Sequence, residues 1–128
     1  MPLFVAILYM THNQRIGQFG ETLAKNYLIK HGYKIIEANV KLSYQELDIV
    51  AMKDGQTVFI EVKTRISQFY GPAENAMAFS KLERFRRGLE MYLGHENLNA
   101  EQIRADLITV DIDQIKKTAK IKHYKDVI

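Results

Sequence analysis

The sequence predicts an α/β domain in which a mixed β-sheet is flanked by helices, and three observations lead there. Apolar residues recur at helical spacing over Ile16, Phe19, Leu23, Ala24, Tyr27 and Leu28. Three β-leaning apolar runs follow, the last two separated by a tight-turn signal. A second helical pattern then precedes a further strand, and helices interleaved with strands in one short chain pack on the faces of a sheet.

The first helix opens at Thr11, with Gln14 three residues on as in a capping box, and stops at Gly32. Tyr33 to Val40 reads as the first strand, Gln45 to Met52 as the second and Thr57 to Thr64 as the third. Between the last two, Lys53-Asp54-Gly55-Gln56 carries the Asp-Gly pair of a two-residue type I′ hairpin turn. A loop from Arg65 to Phe79 contains Tyr70-Gly71-Pro72. Ser80 and Glu83 form a capping box for the second helix, whose Leu82, Phe85, Leu89, Tyr92 and Leu93 share a face up to Gly94. Arg104 to Ile112 is the fourth strand and Lys120 to Tyr124 a short fifth. The result is an α-β-β-β-α-β core. No repeat or shift in composition marks a boundary, so residues 10–128 are expected as a single domain and residues 1–9 as an N-terminal extension without an assigned role.

A hydrophobic fraction of 47% in 128 residues is enough for one packed core. The absence of cysteine excludes disulfides, thiolate metal sites and a cysteine nucleophile, and suits a cytoplasmic protein. The apolar start, Met1 to Met10, is too short to span a bilayer and lacks the basic residues of a signal peptide, so no membrane association is expected. A formal charge of +3 permits a polyanionic partner without requiring one.

If Asp54-Gly55 is the turn, Lys53 pairs with Gln56 and Asp48 falls opposite Glu61. Alternation then puts Glu46, Asp48 and Val50 on one face with Phe59, Glu61 and Lys63, and Leu47, Ile49 and Ala51 on the other with Val58, Ile60 and Val62. Opposed Cβ atoms lie about 4.5–5.5 Å apart, where like charges destabilise a sheet. A hard divalent cation offsets that repulsion, since Mg²⁺ takes carboxylate and carbonyl oxygens while keeping waters for chemistry. Lys63, beside such an ion, would polarise an attacking water or steady a phosphate. Those parts suit phosphodiester hydrolysis. A solvated hairpin with Lys63 paired to Glu46 would give the same pattern, so the register alone leaves both readings open.

The stretches Gly17-Gln18-Phe19-Gly20-Glu21-Thr22-Leu23-Ala24, Gln45-Glu46-Leu47-Asp48-Ile49-Val50-Ala51 and Phe59-Ile60-Glu61-Val62-Lys63-Thr64-Arg65 closely resemble the uncharacterised YraN-type proteins. These belong to the PD-(D/E)XK, restriction-endonuclease-like superfamily and are similar to Holliday-junction resolvases. The resemblance runs from about Met10 to the C-terminus and includes Phe69-Tyr70-Gly71 and Lys81. It implies a restriction-endonuclease-like fold and an endonuclease that acts on branched or junction DNA with Mg²⁺, or Mn²⁺ in its place. It further implies that Asp48 and Glu61 are metal ligands with the Val62 carbonyl as a third, and that Lys63 orients or activates the water. Glu21 corresponds to a first-helix glutamate that approaches the metal directly or through water. A homodimer is implied in the same way, because a four-way junction presents two symmetric cleavage points. The family usually has Gly where this chain has Gln45, which touches a tight bend and none of the ligand positions.

For holding nucleic acid, Lys81, Arg84, Arg86 and Arg87 crowd the second helix, and Lys81 and Arg65 also match family positions. Tyr70 is placed to stack on a base. The competing expectation is a nucleic-acid-binding or partner-binding module that keeps the fold without turnover. His12, His31, His95 and His123 show no metal-ligand spacing and receive no role, and Asp111 and Asp113 read as surface or capping residues.

Overall fold

In a computed structural model of the chain, residues 12–42, 45–66, 85–91, 94 and 102–127 are described. Helix α1 (His12–Lys30) leads into β1 (Lys34–Leu42), β2 (Gln45–Lys53) and β3 (Gln56–Ile66). Helix α2 covers residues 85–91, and β4 (Ile103–Asp113) and β5 (Thr118–Tyr124) complete the chain. The five strands lie in the sheet in chain order. All neighbours are antiparallel except β3 and β4, whose parallel pairing needs the crossover that carries α2. The expected α-β-β-β-α-β order is therefore present, extended by β5 as a full edge strand.

Each face of the sheet buries one helix. Ala24 and Leu28 of α1 pack against Ile49, Ala51, Val58, Ile60, Ile108 and Val110. On the other face Phe85 and Leu89 of α2 pack with Val50, Phe59 and Ala105. The stop of α1 is a Schellman motif: Gly32 takes φ 87°, Tyr33 N–H donates to Leu28 O at 2.9 Å and Gly32 N–H to Ile29 O at 3.2 Å. Midway along α1, a side chain at Gly20 would occupy the space of the Thr64 side chain. The missing Cβ lets the helix backbone settle on β3, and it brings the next residue, Glu21, down to the sheet.

The Asp54-Gly55 turn has positive φ at both residues, 51° and 79°, as type I′ requires. It sets the expected register from Lys53↔Gln56 back to Ile49↔Ile60. There the regular ladder ends. Leu47 packs with Val50 and Phe59 on the α2 side, whereas Ile49 packs under α1, so the two-residue alternation expected to keep Leu47 with Ile49 is broken at Asp48. β1 keeps its register with β2 at the facing position, its irregularity lying earlier between Ile35 and Glu37, but it turns over there. Asn39, flanked by the pairs Ala38↔Ile49 and Val40↔Leu47, has φ 54°, and Val40 joins Leu47 on the α2 side. A single left-handed residue in a strand acts as a bulge does and re-aims the side chains around it.

Candidate metal centre

The broken alternation at Asp48 decides which carboxylates meet. Glu21 of α1 and Glu46 and Asp48 of β2 each bring a carboxylate oxygen within 4.8 Å of the other two. The Asn39 amide, with its nitrogen turned to its acceptors, donates to Glu21 Oε2 at 3.0 Å and to Glu46 Oε1 at 3.1 Å. Asp48 Oδ2 accepts the backbone N–H of Val62 at 2.8 Å, a side-chain bond at the place where the β2–β3 ladder stops. Burial together with the neighbouring Asp48 and Glu46 pushes the Glu21 carboxyl up to about 7, against the opposing pull of Lys25 and of the Asn39 amide.

The expected partners on β3 form a second pair next to this cluster. Glu61 is buried, and Lys63 Nζ stands 3.9 Å from its Oε1. Lys63 therefore pairs with Glu61 rather than with Glu46. Glu61 does not join the group of three, so the structure holds Glu21 with Asp48 and Glu61 with Lys63. Val62 links the two pairs: its N–H holds Asp48, and its chain neighbours are Glu61 and Lys63. An extended residue sends its N–H and C=O to the same side, which opens the Val62 carbonyl toward β2 as well. Lys63 and Arg65, with Ile16, Gly17, Val62, Thr64 and Ile66, line a groove of about 530 Å³ along the first half of α1. Arg65 Nη1 donates to the Thr64 carbonyl at 3.1 Å. Arg87 is exposed on α2, and Tyr70, Lys81 and Arg84 lie outside the described residues.

The donor set fits a hard cation. All of its atoms are oxygens, and burial, with Asp48 and Glu46 as neighbours, raises the proton affinity of Glu21 there. Two of its members escape the sequence reading. The register puts Glu46 on one face with Asp48 and Glu61 but not among the ligands, and Asn39 goes unremarked within the first strand. The legible signal was Asn39 itself, a residue that strands avoid and that tolerates left-handed φ, set in an apolar run.

A second polar constellation, also missed, lies toward the other end of α1. Asp106 of β4 is fully buried and accepts from Arg104 Nε at 2.9 Å, Arg104 Nη2 at 2.8 Å and the Asp126 N–H at 3.0 Å. His123 Nε2 lies 2.7 Å from the same carboxylate, and His123 Nδ1 lies 3.2 Å from the Tyr27 hydroxyl. Arg104 Nη2 also donates to the Tyr33 hydroxyl at 2.7 Å. Burial alone would raise the Asp106 carboxyl, but the hydrogen bonds from His123, Arg104 and Asp126 outweigh it and hold the group below its ordinary value.

A five-stranded mixed sheet of this order with a helix on each face makes this an α/β protein, compatible with a restriction-endonuclease-like fold. The chain belongs to the uncharacterised protein family UPF0102, whose model matches residues 20–110 and so spans every residue of the cluster. A UPF0102 protein of Shewanella sediminis is 42% identical over 100 residues, covering 78% of this chain and 85% of the relative. One from Caldanaerobacter subterraneus is 36% identical over 113 residues, covering 88% and 93%. Among solved structures, an fdxN element excision controlling factor protein from Anabaena variabilis aligns at 13% identity and a TM-score of 0.40, over 82% of this chain and 97% of its own. An XisH family protein from Nostoc punctiforme aligns at 12% identity and a TM-score of 0.38, over 82% and 98%. Among the described residues, no helix is long and apolar enough to cross a membrane.

Proposed function

We propose that this protein is a metal-dependent endonuclease that hydrolyses phosphodiester bonds in DNA, with branched or junction DNA as its substrate. The observation that carries the reading is the meeting of Glu21, Glu46 and Asp48 within 4.8 Å, joined through the Val62 N–H to the strand that bears Glu61 and Lys63. Asp48, Glu61 and the Val62 carbonyl, with Glu21 close by, would hold Mg²⁺ or Mn²⁺. When bound, the ion supplies charge neutralisation at the phosphate and an acidified water.

The chain's own groups do the rest. Lys63, kept near Glu61 and facing the groove, donates to a phosphate oxygen or to the attacking water. The Val62 N–H fixes the Asp48 carboxylate in its place beside Glu21 and Glu46. Glu21 supports the site from the helix, and its high proton affinity before a cation arrives lets it take up a proton near neutral pH. Arg65, at the same groove, draws the DNA backbone in.

The test is cleavage of labelled single strands, duplex, flap and four-way junction with Mg²⁺ or Mn²⁺. Asp48→Ala, Glu61→Ala and Lys63→Ala are each expected to lower the rate by about 100-fold or more, the scale of losing a positioned acid-base or electrostatic group. Binding of DNA without cleavage of any form by the wild type would replace this reading with a non-catalytic nucleic-acid-binding module.

A further inference from the structure

The β4–β5 hairpin ends in a turn at residues 114–117, and its tip presents Ile115 at 84% exposure, well above the next exposed large apolar residue among the described residues, Ile29 at 57%. Scattered apolar side chains on a surface are ordinary. This one is set apart by its frame. A β-branched residue is a poor choice for a turn, where Gly, Asn, Asp, Ser and Pro each have a conformational reason to be present. The turn is nonetheless firmly built: Asp113 Oδ1 accepts the N–H groups of Ile115 and Lys116, both at 3.0 Å, and Lys117 takes φ 54°. Lys116, Lys117 and Lys120 are all exposed around the apolar tip.

Its position follows from the sheet register. β3 and β4 run parallel with Lys63↔Thr109, Arg65↔Asp111 and Ile66↔Ile112. The hairpin thus leaves the same end of the sheet at which Lys63 and Arg65 line the groove. From the level of Lys63 to Asp113 is a run of four residues, about 13 Å at the strand rise, or about four base steps of B-form DNA. The base of the hairpin lies beside α1: Ile112 and Leu23 pack against the same core, and Asp113, Gln114 and Lys117 line a cavity with Phe19 and Leu23. The hairpin therefore starts next to the helix that bears Glu21.

We propose that this tip is a DNA wedge. Ile115 enters between bases at a branch point, where stacking is already broken, while Lys116, Lys117 and Lys120 hold the flanking phosphates. An apolar side chain pushed into a base step beside cationic groups is a known way for proteins to open or kink DNA. The proposal rests on the nuclease reading above and adds the means of selecting a branched substrate.

The test uses the full chain, in EDTA, with an immobile four-way junction carrying 2-aminopurine at the branch and a linear duplex of matched sequence. Ile115→Ser is expected to weaken junction binding by about tenfold, the scale of one lost stacking contact, to change duplex binding by less than about twofold, and to abolish the 2-aminopurine signal. Ile115→Leu should restore all three. The double change Lys116→Gln with Lys117→Gln should weaken both DNAs and reduce the salt slope of binding by about 2. Junction binding by Ile115→Ser equal to wild type overturns the wedge, as does equal loss on junction and duplex. A change in sedimentation with DNA affinity intact also overturns it and makes the tip a contact between copies. Wild type that cleaves in Mg²⁺ while Ile115→Ser behaves identically removes the wedge alone; wild type that neither binds nor cleaves any DNA removes the nuclease reading and the wedge with it.

Discussion

Two acidic sites lie along α1, and they are built on opposite terms. At Asp106 a fully buried carboxylate meets the Arg104 guanidinium, His123 and the Asp126 N–H, and the carboxyl is held below its ordinary value. At Glu21 three carboxylates converge on the Asn39 amide and the Val62 N–H, and Glu21 is pushed up to about 7. Buried polar groups that are satisfied rigidify a fold, while clustered groups that perturb one another mark a place prepared for something else. The protein supplies the counter-charge itself at the first site, and at the second the cation of the proposed function would supply it.

The sharpest way to break this comparison is to remove each carboxylate in turn. Asp106→Ala should destabilise the fold by about 3–5 kcal/mol in urea unfolding, because Arg104 and His123 would lose the buried anion that justifies their place. A loss below about 1 kcal/mol would mean that Asp106 is not the fastening described. Glu21→Gln should act in the opposite direction. It removes one charge of a repelling cluster and should raise metal-free stability at pH 8 by about 1 kcal/mol, a figure discounted for the solvent access of a half-buried group.

The pH dependence separates the two sites further. Glu21 has a folded value of about 7 against an ordinary 4.5, so its contribution is present below about pH 4.5 and is lost as pH rises through 7. Asp106 is shifted the other way; its contribution is present above the ordinary carboxylate range and lost as pH falls through and below it. Metal-free wild type should therefore lose stability between about pH 4.5 and 7, and Glu21→Gln should not. Urea midpoints that fall in parallel for both proteins would assign the loss to another group. The smallest effect is expected at Asn39. Asn39→Gly keeps the left-handed backbone but deletes the amide, and should lower metal-free stability by about 0.5–1.5 kcal/mol, the worth of a typical hydrogen bond. Millimolar Mg²⁺ should restore that loss, read as a thermal midpoint.

The contrast also explains what could be read from residues alone. Asp54-Gly55 names its turn type, and that turn carried the register correctly as far as Ile49↔Ile60. Gly32 stopped α1 for an equally local reason, the left-handed φ of a Schellman cap. Asp48 was named, but its company was not. Alternation is a rule for one strand, whereas the break at Asp48 comes opposite the left-handed Asn39 of the facing strand, and so Glu46 and Asn39 were missed as members of the site. Asp106 was harder still. Its partners come from Arg104 two residues away, from β5 and from the chain beyond it, while Tyr27 on α1 completes the relay, so no window of sequence displays them together.

The strand order has a consequence for how the molecule comes together. α1 and the three antiparallel strands hold Glu21, Asn39, Glu46, Asp48, Glu61 and Lys63 within a continuous half of the chain, and their pairings close short loops. The parallel β3–β4 pairing and the Asp106 network must wait for a long crossover and for the last strand, and such distant contacts form late. The acidic cluster is thus written in the first half of the chain and its frame fastened by the second. A truncation before β5 would leave every carboxylate of the cluster in the polypeptide and remove the bolt that keeps the C-terminal end of α1 against the sheet.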